Sequence, residues 1–116
     1  MRRLTEPAAV AAELIWSARA RTDLLDIYVR IGRERRDAAE RFLDRIEKKA
    51  TLLTTQPRMG VRRSDIRART RMLVERPYLL LYETIPNTDV GPVQAVEIVR
   101  IVDGRRDLKA MFKSGA

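Results

Sequence analysis

The spacing of apolar residues switches between a period of two and the helical period along the chain. Glu13-Leu14-Ile15-Trp16 sets Leu14 and Trp16 on one side and Ile15 on the other, the alternation of a short strand. Ser17 ends it. A serine hydroxyl accepts a first-turn backbone N–H, so Ser17 is a favoured helix start. The spacing predicts that helix from Ala18 to about Ile31, because Ala20, Leu24, Ile27, Tyr28 and Ile31 fall on one face. Gly32 is placed to stop it in the left-handed conformation open to glycine. After the basic turn from Arg33 to Arg36, Asp37 and Glu40 have the spacing of a capping box, and Ala39, Phe42, Leu43, Ile46, Ala50 and Leu53 form a second apolar stripe. The charges from Arg41 to Lys49 on its other side read as a solvated face. Two helices with one stripe each and a short connection should pack as an antiparallel hairpin. Thr55 to Gly60 closes the second helix: Pro57 cannot continue it, and Gly60 suits a turn position of positive φ.

From Arg67 the period returns to two. Arg67, Arg69, Arg71 and Leu73 alternate with Ala68, Thr70, Met72 and Val74, which predicts a strand with one strongly basic face. Pro77 marks a turn into Tyr78–Ile85, a strand dense in apolar residues whose Tyr78 and Tyr82 read as core. Pro86 to Pro92 makes a loop into Val93–Arg106. There Val96, Ile98 and Val102 alternate with Ala95, Val99 and Ile101, so both faces are apolar and the strand belongs inside a sheet. Glu97 and Arg100 interrupt this pattern on opposite faces, and Asp103-Gly104 ends it. Three consecutive strands with short connections predict an antiparallel meander. A short helix from Arg105 to Phe112 follows, with Asp107 near its start and Lys109 and Lys113 towards its end, as the helix dipole favours. Met1 to Ala12 has no clear period, contains Pro7 and reads as a tail; a signal peptide would need a longer unbroken apolar core. The predicted fold is α+β: an N-terminal strand, then an antiparallel helical hairpin packed on one face of a small, mainly antiparallel sheet, then a short C-terminal helix. It forms one domain over residues 13–113, and its opposite sheet face is open and holds the basic residues.

Composition narrows the chemistry. At 116 residues the chain is long enough to bury about two thirds of its unfolded surface without a staple. It has no cysteine and no histidine, which excludes disulfides, thiolate metal sites, the usual zinc sites and the commonest general base. No cofactor is implied. Lys and Arg total 24 against 16 acids, a net charge of +8, and the pI is near 10.7, which points to a polyanionic partner. No apolar run approaches the roughly 18 residues a membrane span needs, so a cytoplasmic address and no membrane partner are expected.

These residues carry a resemblance. Ile15-Trp16-Ser17 leads into a helix with Asp23-Leu24 and Ile27; Ala39, Arg41, Phe42 and Ile46 follow on the second helix, then Pro57 and Gly60 in the turn. Tyr78 with Leu81-Tyr82, and Ile98, Arg100, Val102, Gly104, Arg106 and Asp107, complete the series. From about Glu13 to Phe112 the chain resembles the RelE/ParE toxin superfamily, the toxin halves of bacterial toxin–antitoxin pairs, and more closely its ParE branch. The family pattern often has a histidine where Asp103 stands.

The resemblance implies two mechanisms. RelE-like members cut mRNA in the ribosome, and their functional positions fall here on Thr70, Met72, Leu79, Arg106 and Phe112. Arg106 alone keeps the chemistry. Its guanidinium could stabilise charge but would make a poor acid or base, since its pKa exceeds about 12, and Phe112 has no hydroxyl. ParE-like members instead act on DNA gyrase and block replication, which needs a binding surface rather than a proton-transfer set. On this reading Arg100, Arg105, Arg106, Lys109, Phe112 and Lys113 contact the target; in the ribosomal alternative Arg106 is the catalytic candidate. For Arg100 the other reading is a strand residue paired with a carboxylate such as Glu83 or Glu97. The family also implies a cognate antitoxin, encoded by an adjacent gene, whose acidic and apolar tail folds onto the toxin as a hetero-oligomer. Leu24 and Tyr28 on the hairpin, with Arg67, Arg69 and Arg71 on the sheet, are its expected contacts. A third possibility is a non-toxic nucleic-acid-binding module, whose affinity would fall steeply with salt.

Overall fold

The computed structural model describes residues 11–106. Strand β1 (Glu13–Trp16) leads through Ser17 into α1 (Ala18–Gly32), and α2 (Arg36–Leu52) returns beside it. Strands β2 (Val61–Arg62), β3 (Arg71–Glu75), β4 (Tyr78–Ile85) and β5 (Ala95–Asp103) follow. They form one sheet in the order β1-β5-β4-β3-β2, in which β1 runs parallel to β5 and every other pair is antiparallel. The meander of β3, β4 and β5 is as expected, and β5 lies between two partners as its doubly apolar pattern requires.

The apolar stripes meet as predicted. Ala20 and Ile27 of α1 and Phe42, Ile46 and Ala50 of α2 are buried with Leu73, Leu80, Tyr82, Val96, Ile98 and Ile101 of the sheet. Phe42 meets Tyr78 edge to face, with ring centroids 5.1 Å apart, a geometry that aligns ring edge with ring face and adds about 0.5–1.5 kcal/mol to the burial. Ser17 does cap α1: its hydroxyl accepts the Ala20 N–H at 3.0 Å and donates to the Val99 carbonyl at 2.9 Å. One side chain thus starts a helix and ties it to the sheet.

Several expectations are corrected. Gly32 is the last residue of α1 and takes no left-handed conformation; among the described residues Gly91 is the glycine with positive φ, at 88°. The chain leaves α1 through Arg33 in the right-handed region instead. The capping box is absent, because the N-cap lies two residues earlier, at Arg35, and Asp37 inside the first turn pairs with Arg35 and Arg41. Gly60 serves close approach rather than positive φ: a Cβ there would lie 2.6 Å from the Tyr82 ring and hydroxyl and 2.9 Å from the Met72 carbonyl. The proposed basic strand begins at Arg71, not Arg67. Residues 63–70 are a loop closed by Arg63 N–H to the Thr70 carbonyl at 2.8 Å, pinned by the buried Ile66 and by an Arg63–Asp65 ion pair.

That loop changes the far side of the sheet. Ile66 packs with Leu79, Leu81, Val102 and Met72, so this face is apolar and partly covered instead of open and basic. Arg71 pairs with Tyr82 in the ladder, and Tyr82 belongs to the helix-covered core. A bulge shifts the β4–β5 register between Leu81 and Tyr82. Ile98 and Ile101, three residues apart, therefore share the main core, where strict alternation had separated them. Arg105 and Arg106 form a turn, with the Asp103 carboxylate accepting the Arg105 N–H at 2.9 Å and the Asp103 carbonyl the Arg106 N–H at 3.1 Å. The rest of the expected C-terminal helix, with Lys109, Phe112 and Lys113, lies outside the described residues.

Candidate functional site

Three surfaces hold predicted residues among those described. The first is a groove of about 690 Å3 between β1 and the helical hairpin. Its apolar wall is Leu14, Trp16, Leu24, Leu25 and Leu43, with Arg21 and Glu47 as charged margins. Leu25 is 60% exposed on α1 and Val29 is 42% exposed one turn on, so the helix keeps an apolar strip that the hairpin leaves uncovered. The Tyr28 hydroxyl donates to the Glu40 carboxylate, and that bond raises its pKa further from neutrality. Leu24 and Tyr28 therefore do share a site. Arg67, Arg69 and Arg71 do not join them, because β1 and the β2–β3 pair are at opposite edges of the sheet.

The second surface is a polar pocket of about 240 Å3 where β5 runs past the end of β1. Beyond Trp16 no strand among the described residues pairs with this edge of β5, and α1 supplies hydrogen-bonding groups there. Asp23 accepts the Ile101 N–H at 3.0 Å and holds Arg100 through two bonds, Nε to Oδ2 at 2.7 Å and Nη2 to Oδ1 at 3.2 Å. Arg100 is thus a strand residue paired with a carboxylate, that of Asp23 on α1, and both side chains are buried. Asp23 was missed although a signal exists: it sits three residues after Ala20 and four before Ile27, a charge on the buried stripe. Arg30 donates to the Tyr78 hydroxyl at 3.0 Å across the same pocket, and Arg106 lines its rim. Arg105 is exposed, but its guanidinium turns back onto Asp103, with Nη2 to Oδ2 at 2.6 Å. This pairing holds the Asp103 carboxyl well below the usual carboxylate range and raises Arg105 above its own.

The third surface lies at the β2–β3 end and was not foreseen as a unit. Asp89, in the loop between β4 and β5, accepts Arg62 Nε at 2.9 Å and Arg71 Nη2 at 3.2 Å on one oxygen. Arg58 donates to the Thr88 and Gly91 carbonyls, both at 2.9 Å, and fixes the loop. Arg71 is buried and also donates to the Gly60 carbonyl at 3.2 Å. No short motif connects residues 58, 62, 71 and 89, so the sequence gives little warning of the cluster.

Electrostatically these surfaces hold charge. Asp37, Asp89 and Asp103 are lowered by arginine partners, Tyr82 is raised by burial, and Arg63 and Arg105 are raised by aspartates. Each shift carries its group deeper into the form it has at neutral pH, the reverse of what tunes a general acid or base. Among the described residues no group of three or more Asp or Glu side chains forms a metal-ligand set, and no helix is long and apolar enough to cross a membrane.

Comparison with known proteins gives one family. The model of the ParE toxin of type II toxin–antitoxin systems (parDE) matches residues 14–108. A solved structure of the chromosomal ParDE TA system from P. aeruginosa is 22% identical, covers 80% of this chain and 96% of its own, and superposes with a TM-score of 0.64, a likeness of fold. No curated protein matches the chain.

Proposed function

From the premise that the chain belongs to the ParE toxin family of type II toxin–antitoxin systems, we propose that it binds DNA gyrase and blocks replication, restrained by a cognate antitoxin encoded beside it. The observation that carries this reading is the family match, which spans residues 14–108 and so takes in both helices and, apart from Glu13, every described strand. The direction of the resolved pKa shifts supports a mechanism of binding over one of proton transfer.

The antitoxin's apolar side chains fill the groove around Leu24 and Tyr28, where the uncovered strip on α1 gives an amphipathic segment something to bury. Arg67, Arg69 and Arg71 would be outlying contacts of its acidic portion. The target contact is the exposed turn of Arg105 and Arg106 together with Lys109, Phe112 and Lys113. Arg100, buried against Asp23, acts on this contact by fixing the end of β5 from which the turn departs.

The test is a gyrase supercoiling and cleavage assay run beside a ribosome-dependent mRNA cleavage assay, with the same purified protein. The expected result is trapped cleaved DNA and intact message; message cut on the ribosome overturns the reading. Replacing Arg105 and Arg106 with Ala should relieve growth arrest while the circular dichroism spectrum is unchanged. Undiminished arrest would move the target contact elsewhere.

A further inference from the structure

The segment from Arg58 to Arg71 contains six arginines, one aspartate and no lysine. Folding gathers three of the six around the 86–92 loop. Arg58 is held by the Thr88 and Gly91 carbonyls, Arg62 by Asp89 and by the Asn87 side chain at 3.1 Å, and Arg71 by its own burial and the Gly60 carbonyl. These guanidinium groups are therefore placed before any ligand arrives, so little side-chain entropy remains to be lost on binding. Into them projects a single oxygen, Asp89 Oδ1, which lies 2.8 Å from Arg62 Nη2, 2.9 Å from Arg62 Nε and 3.2 Å from Arg71 Nη2. The Asp89 side chain is 74% exposed. An exposed loop carboxylate is thus seated among donors that a buried framework keeps in place.

We propose that this arginine cradle is a phosphodiester-binding site whose resting occupant is Asp89. A non-bridging phosphate oxygen in the place of Asp89 Oδ1 would receive the same donors, in the planar fork geometry that arginine offers to oxyanions. Charge balance favours a nucleic-acid backbone over a single carboxylate. Three arginines facing one aspartate leave an excess of about two positive charges, and Arg69, exposed in the adjacent loop, extends it. A polyanion with evenly repeated charges meets that excess along its length; one acidic side chain would only replace Asp89. The lowered pKa of Asp89, set first by its bond to Arg62, agrees with the field the cradle exerts. This inference needs no gyrase.

The test uses the full chain and fluorescence anisotropy with a labelled 20-base-pair DNA duplex and a labelled single-stranded RNA, at salt between about 50 and 200 mM. Either nucleic acid binding with an affinity that falls steeply with salt supports the site, and the tighter one names its source. Asp89→Asn removes the internal competitor and should tighten binding several-fold. Arg69→Glu, on an exposed position that leaves the cradle intact, should weaken binding several-fold and lower the log–log salt slope by about 1. Binding of neither nucleic acid overturns the proposal. So does an unchanged affinity in Arg69→Glu, or polyglutamate displacing the duplex as well per charge as unlabelled DNA does. Should Asp89→Asn lose the native circular dichroism spectrum, Arg69→Glu decides alone.

Discussion

Two aspartate–arginine clusters in this molecule use the same chemistry with opposite exposure. At the end of β5, Asp23 and Arg100 are 10% and 9% exposed in their side chains, and the carboxylate also accepts the Ile101 N–H. At the β2–β3 end, Arg71 is as deeply placed at 7%, yet its partner Asp89 is 74% exposed. In the first cluster removing either partner takes away the principal counter-charge of a buried group, although Arg19, 3.6 Å from Asp23, remains beside the carboxylate. In the second the arginine has the Gly60 carbonyl as well, and the aspartate can return to water at little cost. Burial of the acid decides whether such a cluster holds the fold or can serve a partner.

The largest expected effect attacks the closed cluster. Asp23→Ala leaves the Arg100 guanidinium buried without its carboxylate and orphans the Ile101 N–H. Breaking a buried pair from one side costs about 3–5 kcal/mol, which urea unfolding will read as a large drop in midpoint. The double variant Asp23→Ala with Arg100→Met removes the stranded charge and should recover most of that loss. It should still fall short of wild type by about 1–3 kcal/mol, the cost of an unsatisfied backbone donor. Full recovery would show that Asp23 does nothing for the strand edge.

Beneath the open cluster lies a floor that should behave like the closed one. The Tyr82 hydroxyl accepts the Gly60 N–H at 2.9 Å and donates to the Pro57 carbonyl at 2.8 Å, and Gly60 in turn receives Arg71. Tyr82→Phe strands two backbone groups, one of them buried, at about 1–3 kcal/mol. Asp89→Asn should change the midpoint far less. Equal losses in the two variants would mean that Asp89 is structural, and the contrast drawn between the clusters would fail.

What could be read in advance follows the same division. The stripes on α1 and α2 and the strand Tyr78–Ile85 were legible, because residues that share a face repeat at short, fixed spacing and must all be buried together. Leu24 and Tyr28 came out at the groove for that reason, while Leu14, Trp16 and Leu43 became part of it only once β1 was placed beside the hairpin. The two clusters were hidden by distance: Asp23 and Arg100 are 77 residues apart, and nothing near either names the other. The alternation from Arg67 to Val74 misled because period two needs a partner strand to become structure. Ile66, buried on the far face, turned residues 63–70 into a loop instead. The bulge opposite Leu81 and Tyr82 was illegible for a related cause, since a single inserted residue leaves the apolar content of β5 unchanged while moving Ile101 onto the face of Ile98.

The smallest effect belongs to a third pair, intermediate between the two clusters. Asp103 is 21% exposed and Arg105 72%, with two side-chain donors and the backbone N–H of Arg105 all on the one carboxylate. Because these donors depress the folded-state pKa of Asp103, its contribution to stability is complete above the unfolded value of about 3.9 and is lost as pH falls through the folded one. Asp103→Asn removes that contribution at every pH. At pH 7 its urea midpoint should lie slightly below that of wild type, since water screens a pair with so exposed a cation. The difference should shrink steadily as both proteins are measured at lower pH, below the usual carboxylate range. A gap that stays constant there would assign the effect to the turn's hydrogen-bond geometry instead of to charge, and Asp103 would then belong with Asp23 rather than with Asp89.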